Sequence, residues 1–409
     1  MTAAGKAFAR KVASGRAGLW KGGRPRLARL DLELTERCNN DCLHCSVNLP
    51  AGDAEARRRE LDTAGVRAVL EAAAGLGCLS VRFTGGEPLL REDFETIYLD
   101  ARRLGLRVRL FTNAALVTPR LAALLERTPP LERVEVSVYG MTMASAAAAT
   151  RNAGSYDASR RGIGLLAAHG VPFAVKGAVL PPTKDETDRL EAWAKEVTGL
   201  DEPPSHAALF DLRSRRDDKA KNERIRRFRL SAAEYLRLAA RRGGGRIAEL
   251  RRFVARFAGP AGDRLFMCLA DSAAVDAYGR FQVCLSLRHP RTVYDLNRGS
   301  LEAAVKEFLP EVREMRATDP AYLERCGRCF LKALCLQCPA KSWAEHGTLE
   351  TPVEYFCGIA HAEAASVGVL EPGEKAWTVE DWPARVGRLA AKPNTSEGSG
   401  AAAAACEGE

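Results

Sequence analysis

Residues 30–45 read Leu30-Asp-Leu-Glu-Leu-Thr-Glu-Arg-Cys38-Asn-Asn-Asp-Cys42-Leu-His-Cys45. Leu30–Thr35 is a strand candidate, rich in leucine and ending at a threonine. Cys38, Cys42 and Cys45 follow in a CxxxCxxC spacing, in the loop expected after that strand. Three thiolates hold three irons of a [4Fe–4S] cube and leave the fourth iron open to another ligand. Zinc is the alternative. A structural zinc site takes four protein ligands, and the local fourth candidate, His44, sits between two cysteines, where it points away from them.

Outward from this loop, strand-like and helix-like segments alternate between about 28 and 213. The strand candidates are Leu30–Thr35, Leu79–Thr84, Leu106–Thr112, Arg133–Tyr139, Val171–Leu180 and His206–Leu212. A helical pattern over Asp62–Leu76 places Val66, Val69, Leu70 and Ala73 on one face. Thr118-Pro119 starts another helix, as cap and first position. Thr183 with Glu186 three residues on predicts a capping box for a third. Six such repeats imply an α/β fold with a parallel sheet and right-handed crossovers, able to curl into a partial barrel. Reactive groups then belong at the carboxyl ends of the strands. Cys38, the run Gly85-Gly86-Glu87-Pro88, Asn113, Ser137 and Tyr139 all fall there.

The chain has 409 residues and a formal net charge of +9, and Arg supplies most of the basic side chains. No basic run is interleaved with aromatics, so nucleic-acid binding is not expected. No apolar stretch reaches roughly 18 residues, so no membrane span is expected. The N-terminus lacks an export signal, which makes the cytoplasm the expected compartment. Of the twelve cysteines, three lie within 38–45 and seven within 268–357; only Cys78 and Cys406 stand apart. Clustered cysteines in a reducing compartment point to metal or redox chemistry, not to a disulfide framework.

The second set comprises Cys268, Cys284, Cys326, Cys329, Cys335, Cys338 and Cys357. Paired CxxC knuckles also occur in zinc ribbons, but the five residues between Cys329 and Cys335 are short for a ribbon. Seven cysteines do not divide into two tetrahedral four-cysteine sites. They do divide into one complete cluster and one three-cysteine cluster. Tyr278-Gly279 suits a hairpin turn, and Phe281, Val283 and Leu285 alternate as in a strand. The expected organisation is a basic extension (1–27), a partial barrel (28–215), a helical bridge (216–261), a cysteine-rich domain (262–371) and a tail (372–409) that is largely disordered after 391.

The CxxxCxxC loop after a first strand, with Gly85-Gly86-Glu87-Pro88 one strand later, resembles the radical S-adenosylmethionine (SAM) superfamily, whose fold is a partial (β/α)6 TIM-like barrel. The resemblance implies that the open iron chelates SAM and that reductive cleavage yields a 5′-deoxyadenosyl radical. His44 takes a position that is usually aromatic in that family, near the adenine. Gly85, Gly86, Glu87 and Pro88 match the GGEP motif that receives the methionine ammonium. Asn113 and Ser137 resemble SAM-contacting positions, and Ala114 stands where many relatives have Gly. The second cysteine set resembles the SPASM extension, which carries two auxiliary [4Fe–4S] clusters. By that resemblance Cys326, Cys329, Cys335 and Cys357 hold the outer cluster, and Cys268, Cys284 and Cys338 the inner one. The two-residue gap between Cys335 and Cys338 departs from the commoner three. Gly262 replaces an eighth cysteine found in some members, so the fourth inner ligand is open.

The implied activity is radical modification of a ribosomally made precursor peptide, with an oxidative thioether or carbon–carbon crosslink as the expected product. Sulfatase maturation, peptide epimerisation and a non-catalytic iron–sulfur electron carrier are the rivals. Leu285 stands where sulfatase-maturing relatives carry Asp, which weighs against the first, and the intact GGEP weighs against the last. The implied partners are the peptide, an external donor of flavodoxin or ferredoxin type, and a separate leader-binding protein. Only about 29 residues precede the first strand candidate, too few for a leader-binding domain, so a leader would be read by that separate protein or by the barrel and SPASM surfaces. No catalytic base is identified; Tyr139, Lys176 and Asp211 are the polar residues in or at strands that face the barrel.

Overall fold

The computed structural model describes residues 27–241, 245–266, 272–332 and 334–391. Six parallel strands form the barrel sheet: β1 (Arg29–Thr35), β2 (Ser80–Gly85), β3 (Arg107–Thr112), β4 (Val134–Ser137), β5 (Phe173–Ala178) and β6 (Ser205–Ala207). Alternation along β1 puts Leu30, Leu32 and Leu34 into one apolar core with Val66, Leu70 and Ile97. The same alternation places Asp31 and Glu33 on the opposite face, where Arg82 and Arg288 pair with them. Strand six is shorter than expected. The chain leaves the sheet after Ala207, so Asp211 lies in a loop, where it pairs with Lys341 at 2.6 Å.

Between the strands run α1 (Thr63–Gly75), α2 (Phe94–Arg103), α3 (Pro119–Arg127), α4 (Met143–Thr150), α5 (Ser155–Ala168) and α6 (Thr187–Thr198). The Asp62 and Thr118 side chains cap α1 and α3, each accepting a backbone N–H three residues on. The capping box expected at Thr183 does not form. The Thr183 hydroxyl instead donates to the Ala178 carbonyl at 2.8 Å, and α6 starts only at Thr187 after a single 3₁₀ turn. Glu186 turns away to accept from Ser145 and from the Met141 N–H, which braces the real capping box, Thr142 with Ser145, at the start of α4.

The sheet does not stop at β1. On its outer edge β7 (Ser272–Val275) pairs parallel to β1, followed by β8 (Arg280–Gln282) and β9 (Val293–Asp295) in antiparallel order. The full order is β9-β8-β7-β1-β2-β3-β4-β5-β6. The cysteine-rich region thus extends the barrel sheet itself. Its hairpin turns at Gly279, whose φ of +78° is in the range glycine adopts without cost. Pairing ends at Gln282, so Val283 and Leu285 lie beyond the strand.

The segment after the barrel is helical: α7 (Lys219–Arg227), α8 (Ala232–Arg241) and α9 (Gly245–Phe257). Ser231 and Glu234 form a capping box at the start of α8. After α10 (Pro339–His346) and α11 (Glu354–Ser366), α12 (Trp382–Ala391) packs on α9. Residues 372–391 are therefore not a tail. Ala376, Val386 and Leu389 enter a second apolar core with Val254, Phe330 and Leu331, and Trp382 stacks on Phe330 with ring centroids 5.7 Å apart. Cys268 and Cys406 lie outside the described residues. Cys78 is buried beside β2 and bonds to the Ser80 carbonyl at 3.2 Å, a packing role.

One buried network joins the barrel to the hairpin. Arg288 donates to Glu33 at 2.7 Å and Glu36 at 2.6 Å and lies 3.6 Å from Asp276. Glu36, wholly buried, also accepts from Arg215 and, at 2.7 Å, from the Tyr278 hydroxyl. Burial pushes the Glu33 carboxyl up to about 7 in spite of Arg288. Removing one partner of such a buried pair leaves uncompensated charge. Arg288→Ala is expected to cost about 3–5 kcal/mol, measured as a lowered midpoint of urea unfolding; an unchanged midpoint would refute the role of this arginine.

Candidate functional site

The thiol loop leaves β1 at Thr35 and is closed at its base by a short parallel pairing of Arg37–Cys38 with Leu49–Pro50. The Asp41 and Leu43 N–H groups donate, both at 2.9 Å, to the Thr150 and Ala149 carbonyls. These belong to the last turn of α4, where carbonyls lack helical partners. Backbone N–H groups of Asn40 and Asn48 point at the Cys38 and Cys45 sulfurs, both at 3.4 Å. The structure gathers Cys38, Cys42 and Cys45 closely enough that their charges would repel one another. Burial pushes Cys38 up to about 12 and Cys42 well above its ordinary value. A bound metal reverses that balance, because a coordinating thiol is deprotonated outright. Among the described residues, no three His, Cys, Asp or Glu side chains converge as a single metal ion requires; a cube takes one thiolate at each corner iron.

Two buried cations stand under this loop. The Lys221 ammonium, from α7, donates to Asp41 at 2.8 Å and to the Asn48 side-chain oxygen at 2.7 Å. Arg213 donates to the Asn48 carbonyl at 3.2 Å and pairs with Asp217 at 2.6 Å. Asn152 and Asn113 complete the support, donating to the Asn40 and Asn39 side-chain oxygens at 2.9 and 2.7 Å. Neither cation had a sequence signal. Lys221 falls in the stretch read only as a helical bridge, and Arg213 directly follows the last strand candidate.

The Gly85-Gly86 pair has a structural reason. Its backbone runs against the end of β1. Gly86 N–H donates to the Thr35 carbonyl at 2.7 Å and Glu87 N–H to the Arg37 carbonyl at 2.8 Å. A Cβ on either glycine would overlap those carbonyl oxygens. Pro88 then opens a 3₁₀ turn capped by Glu87. The buried Glu87 carboxylate accepts from the Thr112 hydroxyl and the Asn113 N–H, both at 2.8 Å, and from the Leu89 N–H at 3.1 Å. Burial raises it to about 7 against these three donors. Glu87 thereby fixes the end of β3, and with it the Asn113 amide, 4.0 Å from the Cys38 sulfur. Ala114 adopts φ +59°, a left-handed conformation that suits glycine.

Across the mouth, Ser137 ends β4, and Tyr139 follows it. The His44 ring packs edge-on to Tyr139 at 4.7 Å and against Phe210 at 5.1 Å between centroids. Burial and Lys221 push the imidazole down to about 4, so it is neutral. Its Nδ1 is buried without a partner among the described residues, a polar atom left for a ligand in an aromatic niche. Lys176 does not reach this mouth. It pairs with Glu135 lower in the barrel and lies over the Phe111 ring.

Cys326, Cys329, Cys335 and Cys357 line one shared cavity, the grouping expected for the outer cluster. Burial raises Cys329 to about 12 and Cys335 to about 11. The Gln337 N–H points at the Cys335 sulfur at 3.4 Å. Cys284 follows the hairpin, and Cys338 caps α10. Gly262 sits in a left-handed turn, and its N–H bonds the Gly327 carbonyl at 2.9 Å. A separate cavity of about 760 Å³ opens at the opposite end of the barrel, between Arg109, Glu132, Glu135 and Lys176. Its charges pair with one another, it lies at the amino ends of the strands, and no cysteine lines it.

Residues 32–194 match the model of the radical SAM superfamily. The chain is 37% identical over 169 residues to a PqqA peptide cyclase of Gluconobacter oxydans, a match covering 40% of this chain and 45% of that one. It thus spans about half the length of the curated relatives it matches. Among solved structures, native anSMEcpe with bound AdoMet superposes with a TM-score of 0.59 at 14% identity, covering 88% of this chain and 99% of that one. Streptococcus suis SuiB bound to precursor peptide SuiA gives a TM-score of 0.57 at 15% identity, covering 80% and 74%. These likenesses show the fold, a partial barrel with a cysteine-rich extension. Because nothing but hydrogen fits at position 86, Gly86→Ala is expected to displace the thiol loop and to cost about 1–3 kcal/mol. Thermal unfolding and hydrogen exchange at residues 35–38 measure it; wild-type exchange there would contradict the close approach.

Proposed function

Because residues 32–194 form a radical SAM domain, we propose that the whole chain modifies a ribosomally made peptide through SAM-derived radical chemistry, with an oxidative crosslink as the product. The observation that carries this is the gathered loop of Cys38, Cys42 and Cys45, hung on backbone hydrogen bonds at the carboxyl mouth of the barrel. A loop with three thiols and buried cations beneath it fits a cluster with one open iron. When bound, cluster and SAM together supply a 5′-deoxyadenosyl radical that takes a hydrogen atom from the substrate.

The side chains have separate tasks. Cys38, Cys42 and Cys45 hold iron, while Lys221 and Arg213 offset the negative charge of the thiolates. Glu87 holds Asn113 in place beside Cys38. Gly85 and Gly86 let β2 lie against the loop, and Pro88 sets the turn that follows. His44, with Tyr139 and Phe210, makes the niche for the adenine and offers Nδ1 to it; Ser137 lines the same mouth. Cys326, Cys329, Cys335 and Cys357 hold an outer auxiliary cluster, and Cys268, Cys284 and Cys338 an inner one. Such clusters can take up the electron left by a net oxidation.

The peptide substrate is supported by the name of the Gluconobacter relative and by the peptide-bound state of a structure with the same fold. A reduced flavodoxin or ferredoxin would supply the electron. The test is anaerobic incubation of the reconstituted, reduced protein with SAM. Release of 5′-deoxyadenosine is expected, and Cys42→Ala should abolish it. A protein carrying all its clusters that releases none would end the proposal. Mass spectrometry of a precursor peptide encoded beside the gene should then show the loss of two hydrogens; an unchanged mass would exclude an oxidative crosslink.

A further inference from the structure

Lys332 lies between Cys329 and Cys335, and its side chain is buried, with 6% of the residue exposed. Its ammonium donates to the Tyr322 hydroxyl at 3.1 Å and sits 5.1 Å from the centre of that ring. Tyr322, equally buried, gives its own proton to the Arg264 carbonyl at 3.0 Å. A hydroxyl has one proton, so only its lone pairs face Lys332. Among the described residues, no carboxylate pairs with this ammonium. The nearby Arg325 is neutralised by Glu354 at 2.7 Å. His361, against Cys357, accepts the Ala376 N–H on Nε2 and bonds the Cys357 carbonyl through Nδ1 at 2.8 Å, the pattern of a neutral ring.

A buried ammonium without an anion is unfavourable unless something else supplies negative charge. The groups that remain are the thiols of the shared cavity, which Lys332 lines. Burial works against the charged lysine; the Tyr322 oxygen and, after it, the Cys326 and Cys335 sulfurs favour it. We infer that Lys332 is the built-in counter-charge of the cluster held by Cys326, Cys329, Cys335 and Cys357, and that it raises the reduction potential of that cluster. This rests on the auxiliary-cluster reading above. One-electron reduction adds a negative charge and no proton, so a fixed cation held by Tyr322 stabilises the reduced form more than the oxidised one. Lys332 touches no substrate; it is a tuning residue.

The test uses the full chain, reconstituted anaerobically, with redox titration followed by electron paramagnetic resonance. The signal that vanishes in Cys357→Ala belongs to the outer cluster; if no signal and no iron are lost there, the cluster reading itself has failed, and the inference with it. Lys332→Met is expected to keep its iron and to lower the reduced-to-oxidised ratio at fixed potential about tenfold, which is about 59 mV for one electron. Lys332→Arg should restore the wild-type ratio. A Met variant with the wild-type ratio overturns the inference, as does an Arg variant shifted as far as the Met variant. Should Met and Gln variants both fail to hold the outer iron while Arg holds it, Lys332 serves assembly and the tuning role is excluded.

Discussion

Arg288 is the constraint on which the two halves of the molecule depend. Three carboxylates, Glu33, Glu36 and Asp276, are removed from water where β1 meets the hairpin, and one guanidinium reaches all three. Its planar fork suits such pairing better than an ammonium would. Glu36 stands two residues before Cys38, so the position of Arg288 fixes where the thiol loop begins. Tyr278, at the hairpin turn, binds the same carboxylate. The cysteine-rich region is therefore not a module tethered beside a finished barrel. It supplies a strand to the barrel's edge and a cation beneath its reactive loop.

What could be read from the sequence was local. The spacing of Cys38, Cys42 and Cys45, the strand before them and the Gly85-Gly86 turn are patterns within a few residues, and they appear where the alternation of strands and helices put them. What could not be read depends on contacts distant in sequence. Nothing in Ser272–Val275 announces that it pairs with β1. Lys221 and Arg213 lie in a stretch so charged that two buried members cannot be told from exposed ones. Thr183 and Glu186 carry the letters of a capping box, yet each finds a better partner in tertiary structure, Ala178 for one and Ser145 for the other. Residues 372–391 read as a tail because their few apolar side chains make sense only against α9 and Phe330.

The excess of arginine gains a second meaning. Many of these side chains point inward, as Arg37 does to Glu60, Arg213 to Asp217 and Arg229 to Glu345. Each such pair is neutral, so the net charge of +9 is carried by the remaining side chains. Part of the basic composition is internal wiring around anionic sites.

The two thiol sites also differ in the order in which they can be assembled. The loop of Cys38 is held by the Thr150 and Ala149 carbonyls, the Asn152 amide and the Lys221–Asp41 pair, all supplied by the chain itself. Held by these contacts, the loop would keep its shape without iron, so under the proposed reading loading there could follow folding, as into a finished socket. Around Lys332 the chain leaves a charge unanswered. If those thiols hold a cluster, as proposed, the region reaches its lowest free energy only as they become thiolates, and metal capture and folding would be coupled there, as in small metal-nucleated domains.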